Sequence, residues 1–355
     1  MVNKAVSILL LLSPVLYKYG MKDCSLLFED YMFFIGTVVL FVSSLMNNPV
    51  RELSQKWIII SFAGLFLFNV FIHSAMFLNP GESVIKPYII KYGRSAMLFI
   101  IGIVIMVRYI ENVESLYKYI VYAVIINLLV FDLQRLQWFV VPCHDTLPGG
   151  CMGNFARLST YLAITLPFVY HCSIYLAPVC VVTSLLIDPQ LGCLMSAFII
   201  VFFQFKNQYV RYGLIVLALS LIGYFYIDIF KSFATRLPKW GQGINMLLIS
   251  PVSGLGFGAI GELTQNLNEH STISNSILQL ILEGGIFVCF WLFYTLKEFF
   301  KRFDFSIEAI AVLVLLLNSC FEYVFEIKPL WFTLIFTISA FIIKQIDKRP
   351  KNVFC

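Results

Sequence analysis

Pro329-Leu-Trp-Phe-Thr-Leu-Ile-Phe-Thr-Ile-Ser-Ala-Phe-Ile-Ile343 runs fifteen residues without a charge and then meets Lys344, Lys348, Arg349 and Lys351. An apolar run of this kind, closed by cations, reads as a helix that crosses a bilayer and is anchored at its cytoplasmic face. The rest of the chain repeats the pattern. Of its 355 residues 60% are hydrophobic and 13% charged, and the mean hydropathy is +0.86; a soluble domain carries about a quarter charged residues. The composition excludes a soluble two-domain enzyme and a disordered chain. The apolar runs are continuous rather than alternating, which excludes a transmembrane barrel.

Hydropathy places about twelve helices, centred near residues 11, 38, 67, 100, 125, 165, 180, 198, 220, 286, 314 and 336. The expected fold is therefore all-α, a polytopic integral membrane protein forming a single membrane domain over 1–355. The first run, Ala5 to Leu16, resembles a signal peptide, but no small-residue cleavage site follows, so it reads as an uncleaved span. With the N-terminus inside, the inner loops and tail hold 14 of the 25 lysines and arginines, and an even number of spans returns the C-terminus to the cytoplasm. Two long segments then face outward, one over about 134–154 and the other, the large periplasmic loop, over about 231–274. Long loops on an economical membrane protein are where function concentrates.

The net charge of +5 is spread too thinly for a nucleic-acid partner. The nine cysteines form no CxxC pair and no zinc-spaced cluster with histidine, so no metal is expected. Cys24, Cys143, Cys151 and Cys355 fall in expected loops. Cys143 and Cys151 flank a Pro-Gly-Gly turn on the oxidising side, which predicts a disulfide between them.

The large outer loop reads Arg236-Leu-Pro-Lys-Trp240, an apolar stretch from Ile244 to Ile249, then Pro251-Val-Ser-Gly254-Leu-Gly256-Phe-Gly258. An amphipathic segment with a terminal Trp suits the membrane interface, and closely spaced glycines let backbone amides approach an anion. Gly256, Gly258 and Gly261 also fit a dinucleotide fingerprint, but no βαβ unit is available to carry it. Beyond the glycines lie Glu262, Glu269 and His270, and then Asn275, Gln279 and Glu283 at i, i+4, i+8, a polar stripe on the outer half of the next helix. An ionisable group inside a membrane helix is a functional candidate by default. His270 is the histidine of this loop and suits proton transfer near neutral pH, whereas His73 and His171 adjoin apolar helices and read as structural.

The order Arg236, Trp240, Pro251, Gly254, Gly256, Gly258, then Asn275, Leu278, Gln279, Glu283 and Gly285, resembles the large periplasmic loop and following helix of the O-antigen ligase and O-antigen polymerase (Wzy-type) superfamily. Gly150-Cys-Met-Gly153-Asn154, leading to Tyr161, Leu166 and Pro167, is similar to that family's G-x-x-G-N start of a membrane helix. Ser274 stands where the family commonly has a histidine, with His270 four residues earlier and on the same face if the helix begins a turn early, and Pro189 and Gln190 stand where many members have Ser-Arg.

The resemblance implies an inverting glycosyltransferase of the bacterial inner membrane. It would move glycan from undecaprenyl pyrophosphate to a lipid-linked repeat unit on the periplasmic face, with both termini cytoplasmic. Arg236, with Arg157 or Arg135, would hold the pyrophosphate together with Gly254, Gly256, Gly258, Asn275 and Glu283. His270, Glu262 or Glu269 would be the base, with His270 taking the role of the family's histidine. The partners implied are the lipid-linked oligosaccharide, the bilayer and a chain-length regulator, with no cofactor. An O-antigen ligase or O-oligosaccharyltransferase shares this machinery. A lipid-linked oligosaccharide flippase shares the composition, but would call for related halves and helices broken near the midplane.

Overall fold

The computed structural model describes residues 1–15, 25–51, 85–138, 150–152, 155–187, 191–204, 275–321, 324 and 328–348, together with scattered positions between 207 and 255. Among them every regular element is a helix, with no strand. Ten α-helices have defined bounds: α1 Val2–Leu12, α2 Ser25–Leu45, α3 Ile85–Tyr109, α4 Glu114–Arg135, α5 Phe155–Cys172, α6 Leu176–Ile187, α7 Leu191–Gln204, α8 Ser276–Lys301, α9 Ile307–Phe321 and α10 Trp331–Asp347. Each falls at one of the expected positions. The helix expected near 67 lies outside the described residues, and near 220 the described positions 216, 217, 220 and 223 are helical. By length and composition α4 and α8 can cross a membrane.

α5 is the centre of the bundle and packs against α4, α6, α7 and α9. Leu158, Tyr161, Leu162, Ile164, Phe168 and Val169 are fully buried in it, on more than one face, as a helix enclosed by others requires. Around it the apolar core runs through α1, α3, α4, α9 and α10. Aromatic pairs lie within it, with the rings of Tyr117, Phe168 and Phe336 about one another at 5.0 to 6.1 Å. At the periphery α2 exposes Phe34, Ile35, Val38, Val39, Phe41 and Val42, an apolar face that a water-soluble bundle would bury.

Polar groups cap the two ends of the bundle. At the end holding Met1, Arg51 grips Asp347 through Nε and Nη2 at 2.6 and 2.7 Å. The same guanidinium donates to the Ile110 carbonyl, so one side chain ties the α2 and α3 ends to α10. Tyr117 donates to the Glu308 carboxylate at 2.7 Å. Lys344 sits 3.2 Å from Glu114 and 3.7 Å from Glu308, which is only 3% exposed.

At the opposite end Asn127, fully buried in α4, donates to the carbonyls of Pro14 and Ala123 and accepts from the Cys151 amide at 3.1 Å. Gln134 completes the clamp: its amide both donates to the Gly150 carbonyl and accepts from the Gly150 N–H, at 3.2 and 2.9 Å. The turn Gly150–Met152 is thereby laid on α4 immediately before α5 begins. The expected disulfide does not form. Cys151 is a free, buried thiol held toward the core by this clamp, while Cys143 lies outside the described residues. Burial pushes the Cys151 thiol up to about 11.

Candidate functional site at a broken helix

α8 begins at Asn275, whose extended backbone (φ −161°) lets its Oδ1 accept from the Leu278 N–H at 2.8 Å. This is an N-cap, and it satisfies one of the four donors that a helix start leaves over. One turn on, Gln279 donates through Nε2 to Glu283 Oε1 at 3.0 Å. Glu283 is 4% exposed.

The helix then breaks. Gly285 adopts φ +62°, ψ −153°, so the ladder is interrupted directly after Glu283 and Gly284 and resumes toward Lys301. A break leaves carbonyls of the upper half and amides of the lower half without intrahelical partners. The segment Pro251–Leu255 supplies them. Leu255 donates its N–H to the Leu282 carbonyl at 2.8 Å, and Ile286 donates to the Pro251 carbonyl at 3.0 Å. The loop is itself turned tightly, with Gly254 N–H on the Ser250 carbonyl at 2.9 Å and Gly254 at φ +71°.

Two glycines make this approach possible. A Cβ on Gly254 would stand 2.5 Å from the Gly285 nitrogen and from the Glu283 carbonyl carbon, and one on Gly285 would run into the Gly254 nitrogen and the Val252 carbonyl. Neither backbone can yield without losing the exchanged hydrogen bonds. Apolar packing seals the joint, as Leu282 is fully buried among Trp240, Leu247, Leu255 and Leu278. Residues 241–245 are helical, and Ile244 and Leu248 are exposed while Trp240 and Leu247 turn toward Leu282. Apolar side chains therefore stand on both the packed and the exposed side of this segment.

The structure therefore brings Gly254, Glu283 and Gly285 together, residues that the sequence places some thirty positions apart. Asn275 sits two turns above Glu283, with its carbonyl-type oxygen committed to the cap. Arg157 is half-buried in the first turn of α5, and Arg135 is exposed at the end of α4 with its guanidinium 5.8 Å from the Phe131 ring centre. Arg236, Gly256, Gly258, Glu262, Glu269, His270 and Ser274 lie outside the described residues. Asn127 and Gln134 went unnoticed in the sequence, although an asparagine inside the apolar run of α4 was a signal that a polar partner had to be found there. Among the described residues no group of three or more His, Cys, Asp or Glu is placed to hold a metal ion.

Fold and site together define a class: a protein whose described elements are all helices, two of them able to cross a membrane, with a loop hydrogen-bonded into a break in one of those two. No protein-family model and no curated protein sequence matches the chain.

Proposed function

We propose that this protein is a polysaccharide polymerase of the bacterial inner membrane. It joins lipid-linked repeat units on the periplasmic face, with about twelve spans and both termini in the cytoplasm. The observation that carries the reading is the broken helix with a polar site at its break. With Lys297 and Lys301 at the inner surface, the unbroken part of α8 rises roughly 18 to 24 Å to the break at Gly285 at 1.5 Å per residue, within a hydrocarbon core of about 30 Å. Glu283 and the loop at Pro251–Leu255 then lie just inside the outer leaflet. Irregular backbone is tolerated at that depth only where protein satisfies it, as this joint does. A polar site there serves a substrate that the membrane itself presents, such as a glycan on a polyprenyl pyrophosphate.

The chemistry needs donors for the leaving pyrophosphate and an acceptor for the proton of the attacking hydroxyl. Arg236, with Arg157 or Arg135, supplies the guanidinium donors, whose planar fork suits phosphate oxygens. No metal or nucleotide motif is called for, because the lipid pyrophosphate already activates the donor sugar.

A deletion strain tests the reading. Surface glycan reduced to single repeat units, restored to polymer by the wild-type gene, is the expected result. Full-length polymer accumulating on its lipid carrier would instead mean a ligase, and repeat units trapped on the cytoplasmic face would mean a flippase; either result overturns the proposal.

A further inference from the structure

We infer that Glu283, rather than His270, Glu262 or Glu269 of the outer loop, is the proton acceptor for the attacking sugar hydroxyl. The inference rests on the polymerase reading and names the group that performs its central step.

Three observations converge on Glu283. It is an ionisable side chain in α8, a helix long and apolar enough to cross a membrane, 4% exposed and with a neutral amide, Gln279, as a hydrogen-bond donor. Such a carboxylate is costly to hold in an apolar surrounding and is retained where it acts. It also stands directly before the break at Gly285, where a glycine at positive φ meets Gly254 of the loop backbone to backbone, so the turn that carries the carboxylate is fixed in place by the loop. Finally, the loop at Pro251–Leu255 closes over this turn of α8, so water is kept from the carboxylate. Water exclusion is what a transferase requires if the glycan is to pass to a sugar and not be hydrolysed.

In the step itself the acceptor hydroxyl oxygen forms a bond to the anomeric carbon of the donor sugar. The bond from that carbon to the pyrophosphate oxygen breaks, its electron pair leaves on the pyrophosphate, and the hydroxyl proton passes to the Glu283 carboxylate. The configuration at the anomeric carbon inverts.

The test uses the full-length protein in membranes of the deletion strain, supplied with that strain's own lipid extract as the source of lipid-linked repeat units, and follows polymer formation from pH 5 to 9. Glu283→Gln keeps the shape and can still accept from Gln279, so it should enter the membrane at wild-type level. It should nevertheless lose about 10²- to 10⁴-fold in rate, the usual cost of removing a general base. Glu283→Asp should be slow but active, with the acid limb of its pH profile displaced, and this variant decides the matter if the glutamine variant is absent from membranes. His270→Ala should lose less rate than Glu283→Gln.

A Glu283→Gln protein within tenfold of wild type, or a Glu283→Asp protein whose pH profile is unmoved, overturns the assignment. Collapse of His270→Ala with Glu283→Gln active does the same and returns the role to the loop. A wild-type protein that makes no polymer removes the polymerase reading and this inference with it, whereas an active wild type with an active Glu283→Gln removes the inference alone.

Discussion

Gly285 and Gly213 show how differently one residue type can be used. Gly285 has a positive φ and no room for a methyl group, while a Cβ on Gly213 meets nothing within 4 Å. Gly285→Ala should cost about 1 to 3 kcal/mol in backbone strain, with a comparable amount for the clash. Thermal unfolding of the detergent-solubilised protein should fall by several degrees and polymer formation should be lost, whereas Gly213→Ala should leave both unchanged. Arg236→Lys tests the phosphate site at the same scale: a point charge in place of a planar fork should abolish most activity at normal membrane level, and near-normal polymer length would move the role to Arg157. Residue types carried much of this reading. Gly254 and Glu283 could be picked out by spacing, because backbone approach and buried charge restrict residue choice so severely, whereas Gly285 stood out only through the family resemblance. That Gly254 meets Gly285 could not, since nothing local in either segment encodes the contact between them.

Helices were legible for a simple reason: a segment that must be apolar over its whole length announces itself in composition. Their connections were not. The polar clamp of α4 on the turn Gly150–Met152 depends on two amide side chains, Asn127 and Gln134, spaced so that both reach the turn from one helix face. Against hydropathy Asn127 is only a blemish in an apolar run. Asn127→Leu should leave the Cys151 N–H and the Pro14 carbonyl without these partners, at about 1 to 3 kcal/mol for each group left unsatisfied in a dry interior. The expected result is a lowered thermal midpoint together with faster alkylation of Cys151. In the wild type that thiol should resist maleimide at pH 7.5, because burial holds it protonated. Rapid labelling of the wild type would contradict the clamp. The same clamp explains why the turn chemistry that pointed to a disulfide was misleading: the turn is fixed by hydrogen bonds to α4, and they draw Cys151 into the core.

Across the whole molecule the polar groups sort to the two ends, and this gives the bundle both a pH response and a direction. At the Met1 end Asp304 faces Lys348 and Ser306. Burial alone would raise its pKa, but the hydrogen bonds from Lys348 and Ser306 and the Lys348 charge outweigh that, and the carboxyl is held below its usual value. A depressed folded-state value means that the stabilisation is complete above the unfolded carboxylate range, near pH 4, and disappears as pH falls further toward the folded value. Acid unfolding should therefore steepen below about pH 4, and Asp304→Asn should flatten that limb while leaving stability near pH 7 only slightly changed, as befits a pair open to solvent. The direction follows from connectivity. Met1 bonds Asn47, Arg51 reaches Asp347 and Ile110, and Glu111 reaches Asn3, so the starts of α1 and α4 and the ends of α2, α3 and α10 share one face. Ser13 on the Pro329 carbonyl and Gln134 on Gly150 mark the other. If the bundle spans the membrane with this axis along the bilayer normal, single cysteines at Asn112 and Gln137, in a variant otherwise free of cysteine, must label from opposite sides. A membrane-impermeant maleimide applied to intact spheroplasts should reach Gln137→Cys and not Asn112→Cys, and inverted vesicles should reverse the result. Both positions labelling from the same side would remove the transmembrane orientation of α4, and with it the depth argument that places Glu283 in the outer leaflet.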